Sequence, residues 1–516
     1  MSLIKNTDEL FTLIKSMTMS EKRYFKIIAS QHVIGGKNNY IRLFEVIEKQ
    51  KMYDEEVIRK KFRAENFVKQ LAVTKNYLYN LILKAMQVYN SQSTIDGELK
   101  RMVADIDFLY YKGLYGQSSK VLKKAKQFAY KYELYTSLLE LLEKERRVNK
   151  DQGSDILDME IKNNRLFEEK EEVLNKIKGI DQYLIIHDRL LLYLRKIGLN
   201  RTEEDEIKYR KIGDQLLLTD EKLITSFKSK IAFYHSNAVF SSLIGDFPNS
   251  YKYRKKLLDF VDLNPEQIEA YPETYITACN NFIAICGDQK KYKEALLHID
   301  KLRKFKVNND QYKARIFETG YSNELHILSE TGQFEKAIAI IPEVEKGLEI
   351  YKGKITKMRE IICYYNIACI YIGAGKYNDA LIWNNRLLND MEVGIRYDVL
   401  SYSRIINLII HFELKNYEQL EYLVKSTKHF LQKQKHLYKI ETIFLNFIEK
   451  KLPDVNNKKD MIKSFSELKE ELISMSKKPF ESYGLEYFDF ISWLESKIEN
   501  RPFAEIVKEK SKKMTI

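Results

Sequence analysis

The chain has 516 residues, 44% hydrophobic and 31% charged, which suits several domains or one repeat array and excludes a disordered chain. Its formal charge is +13, and residues 1–100 hold 17 Lys/Arg against 11 Asp/Glu, so nearly half of the excess sits in the first fifth. Only 7 prolines and 19 glycines occur, too few for a turn-rich β fold, and an all-α chain is expected.

The first segment, MSLIKNTDELFTLIK, mixes charges early and carries no signal-peptide core. No run of about 18 uncharged apolar residues follows, so a cytoplasmic protein with no membrane contact is expected. Residues 1–95 are expected to form a helical module. Within it the periodicity predicts helices over Tyr40–Lys49, Asp54–Phe62 and Val73–Tyr89, with Asp54 capping the second and Thr74 the third. Short, short and longer helices are compatible with a helix-turn-helix. Arg59, Lys60, Lys61, Arg63, Lys69 and Lys75 form a positive cluster able to meet phosphates. Against this, Tyr77, Leu78, Leu81, Ile82 and Leu83 crowd the third helix like core, leaving few Arg, Asn or Gln side chains for base edges. DNA contact, a solenoid cap and a dimer contact all remain open for this module.

Helical periodicity is nearly continuous from 96 to 452. Val121, Leu122, Ala125, Phe128 and Ala129 share one face after a Gly-Leu-Tyr-Gly turn. Polar clusters of turn formers at 149–155, 308–310 and 452–460 mark breaks. Residues 453–516 hold further helices, including YFDFISWLESKIEN and FAEIVKEK, expected to cap the preceding array.

That array repeats itself. Its turns read DQKKYKEAL at 288–296, TGQFEKAI at 331–338, GAGKYNDAL at 373–381 and LKNYEQL at 414–420. Each carries one aromatic, Tyr292, Phe334, Tyr377 or Tyr417, and a small or aliphatic residue three positions later. The aromatics are 42, 43 and 40 residues apart; Phe247 with Ser250 extends the series by 45, and Tyr115 with Ser118 forms a distant copy. The pattern fits helical hairpins: the aromatic wedges between two antiparallel helices, and the small residue lets the neighbour approach. One hairpin cannot bury its own apolar face, so copies stack.

The copy around Tyr377 resembles a tetratricopeptide repeat, with Tyr364, Ile367, Ala368, Tyr371, Gly375, Tyr377 and Ala380 in the slots of that family. The copy around Phe334 keeps Tyr321, Gly332, Phe334 and Ala337 but places Leu325 in the small slot. The copy around Phe247 keeps Tyr234, Ala238 and Gly245. The copies around Tyr292 and Tyr417 are poorer. The period exceeds the family's roughly 34 residues, which longer helices would explain. The resemblance implies an α-solenoid of antiparallel hairpins over 96–452.

Eleven residues before the turn aromatic lie Asn281, Asn323 and Asn366, in three successive copies. Asn is a poor helix-interior residue, so its return at one phase suggests a task. The resemblance implies that this phase faces the concave groove, where Asn donates and accepts at once and suits the main chain of a bound peptide. An inter-repeat hydrogen-bond ladder and chance are the alternatives.

Signals for chemistry are absent. Gly373-Ala-Gly-Lys376 lacks the earlier glycine and the Ser or Thr of a phosphate loop, and Gly35-Gly36-Lys37 fails likewise. His429 and His436 share a helix face without acidic or cysteine partners, and no HExxH or GxSxG occurs. Cys279 and Cys286 lie seven apart and Cys363 and Cys369 six apart, unlike zinc or redox pairs; they are read as small buried hydrophobes in a reducing compartment. No catalytic residue, cofactor or metal is assigned, and the chain is not expected to be an enzyme. The expected function is a scaffold that binds a protein or peptide segment in the groove. The alternative is a peptide-sensing transcriptional regulator with an N-terminal DNA-binding module, a layout that resembles bacterial regulators of that kind.

Overall fold

The structure is a computed structural model that describes residues 9–31, 38–91, 94–152, 155–197, 207–213, 221–389, 397–434, 439–451, 457–476, 484–485 and 487–514. Every regular element among these residues is helical, and no β-strand occurs among them. None of their helices is long and apolar enough to cross a membrane. The chain divides into two compact units, residues 1–180 with 226–228, and residues 181–225 with 229–516. The Gly35–Lys37 stretch, His436 and most of the 452–460 break lie outside the described residues.

The first unit contains α1 (Glu9–Ser16), α2 (Met19–Gln31), α3 (Asn39–Lys49), α4 (Glu55–Lys61), α5 (Leu71–Ser91), α6 (Ile95–Tyr111), α7 (Tyr115–Lys131), α8 (Tyr135–Asp151) and the start of α9 (Ile156–Ile197). Two hydrophobic clusters hold it. Phe25, Leu43, Phe44, Ile47, Ile58, Leu78 and Ile82 join α2 to α5, whereas Leu99, Ile106, Leu122, Ala125 and Leu138 join α6 to α8. Asp54 caps α4, its carboxylate accepting from the Glu56 and Val57 amides. Thr74 does not cap α5. A 3-10 turn, Asn66–Gln70, feeds the helix, which starts at Leu71, and the Thr74 hydroxyl donates back to the Gln70 carbonyl. Nor do all the apolar residues of α5 enter the core. Leu78 and Ile82 do, but Tyr77 and Leu83 face solvent, because a helix shows only one stripe to its neighbours.

The second unit contains a short helix α10 at 207–213, then α11 (Phe227–Leu243, its first residues in the other unit), α12 (Phe247–Asp262), α13 (Pro265–Ala270), α14 (Pro272–Asp288) and α15 (Tyr292–Lys304). It continues through α16 (Asp310–Glu330), α17 (Phe334–Ile350), α18 (Lys357–Gly373), α19 (Tyr377–Asn389), α20 (Tyr397–Glu413) and α21 (Tyr417–Gln434). It closes with α22 (Lys439–Asn446), α23 (Lys458–Ser476), α24 (Phe490–Glu499) and α25 (Phe503–Met514). Helices pack on their chain neighbours, and α12, α14, α16, α18 and α20 also pack side by side in that order.

One turn design recurs through both units. The residue two before the helix-opening aromatic is left-handed: Gly113, Glu133, Gly245, Lys290, Gly332, Gly375 and Lys415 all have positive φ, between 50° and 78°. The next amide reaches the carbonyl five residues back, as in Leu114 to Leu109, Lys291 to Cys286 and Lys376 to Tyr371 at 2.7–2.9 Å. This is the Schellman closure, which satisfies carbonyls left open at a helix end. Three residues after the aromatic, Ser118, Leu138, Ser250, Ala295, Ala337, Ala380 and Leu420 are buried in every copy. Ser118 and Ser250 satisfy their hydroxyls on the carbonyls of Ile106 and Ala238 in the preceding helix.

The aromatics themselves do not all wedge. Phe334 is buried, but Phe247 and Tyr417 are 49% and 56% exposed. The constant element is therefore the buried residue three positions on, which sets how closely the helices approach. Gly373 also differs from its expected turn role. It is the last residue of α18, and a Cβ there would meet the Phe334 ring at 2.3 Å, so it admits an aromatic while Gly375 makes the turn.

The C-terminal helices do more than close the end of the array. Phe488, Phe490, Trp493, Leu494 and Val507 join the same hydrophobic cluster as α18 and α20. The Tyr487 ring stacks on Tyr402 of α20 at 4.1 Å and 2°, and its carbonyl accepts from the Tyr365 hydroxyl of α18. Trp493 and Lys497 both donate to Glu413. Farther back, Phe503 stacks on Phe334, and α25 touches α16. Burying an aromatic side chain contributes about 1.5–3 kcal/mol, so Phe490 and Trp493 alone anchor α24 firmly.

Candidate functional site

The segment through Tyr487 covers part of α18 and α20. A second polar cluster of this unit lies where α11, α12 and α14 meet. Asn281 of α14 is half-buried, and its amide nitrogen lies 3.2 Å from Nε2 of His235 in α11. The contact makes Nε2 the acceptor and leaves His235 neutral with its proton on Nδ1. The His187 ring of α9 packs on His235 at 4.8 Å. Burial, with His187 and Arg254 nearby, lowers the His235 pKa to about 4.

Arg254 of α12 reaches the same place. Its Nη1 donates to the main-chain carbonyl of Asn281 at 3.0 Å, and its Nε donates to Ser250 Oγ at 3.3 Å. Burial pushes its pKa down, and Asp288 at the end of α14 opposes that fall through charge alone. The Asp288 carboxyl is raised by burial, although His326 and Arg254 act to lower it. The two groups attract without touching. Among the described residues, Nη2 of Arg254 and both carboxylate oxygens of Asp288 have no hydrogen-bond partner. A cation and a carboxylate that attract without pairing offer donors and acceptors to a third group.

The repeat register contains a signal for Arg254 that attention to the asparagines passes over. Seven residues after the helix-opening aromatic, the other turns place Leu122, Leu142, Ile299, Ile341 and Val424, all buried. Only Arg254 and Asn384 break the aliphatic rule among these seven copies. Asn384 meets the Ser403 carbonyl and Asn407 Oδ1, both at 3.2 Å, within its own packing. Arg254 instead keeps one donor open.

The three asparagines are not equivalent. Asn323 donates to the Thr319 carbonyl one turn back in α16, and Asn366 of α18 is half-buried. No hydrogen bond joins the three among the described residues. Apart from the Asn281–His235 contact, bonds that cross from helix to helix in this row come from other side chains, among them Tyr312 to Glu273, Arg315 to Thr277 and Arg359 to Glu318. Asn281 alone is brought into the polar cluster.

In the first unit, the positive cluster separates into two groups. Arg59 and Lys75 are both held by Glu55, at 2.7 and 3.2 Å, and Lys75 also donates to the Tyr53 hydroxyl. Lys60, Lys61, Arg63 and Lys69 are exposed and form no ion pair among the described residues. Cys279, Cys286 and Cys363 are buried and Cys369 partly so; burial pushes each thiol up to about 12, which leaves none poised as a thiolate. Comparison of the chain with protein-family models, with curated proteins and with solved structures finds no match.

Proposed function

We propose that this protein is a non-catalytic scaffold whose second unit is a solenoid of tetratricopeptide-like hairpins that binds a protein or peptide segment beside α11, α12, α14 and α16. The recurrent Schellman turns, the buried residue three positions on, and the side-by-side order of α12 to α20 support the hairpin reading. Helices of 13–21 residues in α14 to α21 account for a period longer than that of the family.

The observation that carries the binding reading is the partly exposed Asn281–Arg254–Asp288 cluster, with a donor and an acceptor left open. A main-chain amide presents one carbonyl and one N–H. Arg254 Nη2 complements the carbonyl and Asp288 complements the N–H. With His235 neutral, the charges of Arg254 and Asp288 cancel, which favours a neutral main chain over a charged ligand. The Tyr487 segment already lies over α18 and α20, so the partner is assigned to the other end of the row.

The test is affinity capture with intact protein. Partners recovered by the wild type are quantified against an Arg254→Leu/Asn281→Ala variant and against Lys346→Ala on the exposed side of α17. Selective loss in the double variant supports the reading. Equal recovery in all three overturns it.

A further inference from the structure

We propose that the turn between α4 and α5 in the first unit is a duplex-DNA contact, in which Lys60, Lys61, Arg63 and Lys69 meet backbone phosphates and the start of α5 faces the bases. This goes beyond the binding role of the second unit and is independent of it.

The turn is an ordered platform, not a floppy charged loop. Phe62 is buried, packs on Phe67 at 5.1 Å, and carries the Arg42 guanidinium over its ring at 5.2 Å. The Glu65 amide closes on the Phe62 carbonyl at 2.8 Å. Two of the nearby carboxylates already have cationic partners: Glu55 holds Arg59 and Lys75, and Glu65 holds Arg42 at 2.7 Å, whereas Glu56 stands exposed one turn before Lys60. The four remaining cations stand exposed within ten residues, on a framework that fixes their spacing. Cations without internal partners on a rigid turn release counterions from phosphates at little ordering cost.

The helix that follows supplies the second half of the argument. The Lys75–Glu55 pair sets α4 beside the first turns of α5, so the cations flank the amino-terminal end of a 21-residue helix. That end carries the positive pole of the helix dipole. Along its solvent side, Asn76 and Asn80 are exposed one turn apart. Asn80 Nδ2 donates to the Asn76 carbonyl at 3.0 Å and reaches Asn76 Oδ1 at 3.4 Å, while its own Oδ1 accepts no hydrogen bond among the described residues. Amide side chains on an exposed helix face match adenine edges in a major groove. An acidic protein would satisfy the cations but would make no use of the amides, so duplex DNA fits both sets of groups.

The experiment is fluorescence anisotropy of full-length protein with a labelled mixed-sequence duplex of about 30 base pairs at several salt concentrations. Four phosphate contacts predict a log–log salt slope of about −3.6, hence a loss of about 150-fold in affinity from roughly 50 to 200 mM salt. The variant K60E/K61E/R63E should flatten the slope by about 2.7. K120E/K123E/K124E, which reverses three exposed lysines on α7, is the control for net charge and should keep the wild-type slope. Asn76→Ala/Asn80→Ala should keep the slope and lose the sequence preference seen in selection from random duplexes. The proposal is overturned if wild type does not bind at low salt, or if both charge variants weaken binding equally. It is also overturned if a poly-glutamate peptide binds at the turn while duplex DNA does not.

Discussion

The same substitution at two equivalent turns isolates what the C-terminal helix contributes. Gly332 and Gly375 occupy the same phase, with φ of 66° and 72°. A Cβ on Gly375 meets nothing within 4 Å, so Gly375→Ala pays only the left-handed backbone penalty, about 1–2 kcal/mol. A Cβ on Gly332 would lie 2.7 Å from both the Ala504 carbonyl oxygen and the Lys508 amide nitrogen of α25. Those are backbone atoms and cannot rotate away. Gly332→Ala therefore adds an overpacking cost of about 1–3 kcal/mol to the same backbone term. The difference should appear locally, since α25 relieves the clash by lifting off α16. Hydrogen exchange of the 503–514 amides should accelerate by about 5- to 150-fold in Gly332→Ala and stay near wild type in Gly375→Ala. Equal loss of stability in the two variants, or unchanged α25 protection in Gly332→Ala, would refute the packing argument.

Lys415→Gly should stabilise the protein by up to about 1 kcal/mol, because it removes left-handed strain at an exposed residue and adds back part of that gain as unfolded-state entropy. A lower urea midpoint would count against it. Arg254→Leu should leave the melting temperature unchanged or raise it, since five other turns hold an aliphatic residue at this phase, while partner capture falls; a large loss of stability would mark Arg254 as structural instead. His235 predicts a pH effect. Its folded pKa lies near 4, below the ordinary 6.5, so the unfolded chain binds the extra proton between these values. The stability from keeping this ring neutral is complete above about 6.5 and is lost as pH falls through 4, by about 3 kcal/mol in all. In His235→Gln, the slope of stability against pH in this window should be shallower than in wild type, and an unchanged slope would assign the effect to other groups.

Much of the helical frame was legible from local pattern. The buried residue three after each aromatic, the Asp54 cap and the core positions Leu78 and Ile82 follow from periodicity and capping, which act within a few residues. The aromatic wedge was legible only in part, because exposure of Phe247 and Tyr417 depends on what packs beside the turn. The candidate site was less legible still. Asn281, Asn323 and Asn366 share one phase, yet only Asn281 meets His235 and Arg254, and the deciding partner lies on another helix. The cation cluster shows the same limit in part: the Glu55–Arg59 pair has the i,i+4 spacing of a helix face and was legible, but Glu55 also removes Lys75 by a contact across 20 residues.

By itself the sequence determined the all-helical frame, the register of its turns and the phase that must be buried, since these rest on 3.6-residue periodicity and on backbone closure within six residues. Only the tertiary structure decided where the C-terminal helices lie and which polar groups remain open. Tyr365 and Tyr487 stand 122 residues apart, and Arg254 and Asn281 stand 27 apart. Contacts of that range are selected by the shape and unsatisfied groups of surfaces already folded, and no local pattern in the chain encodes them.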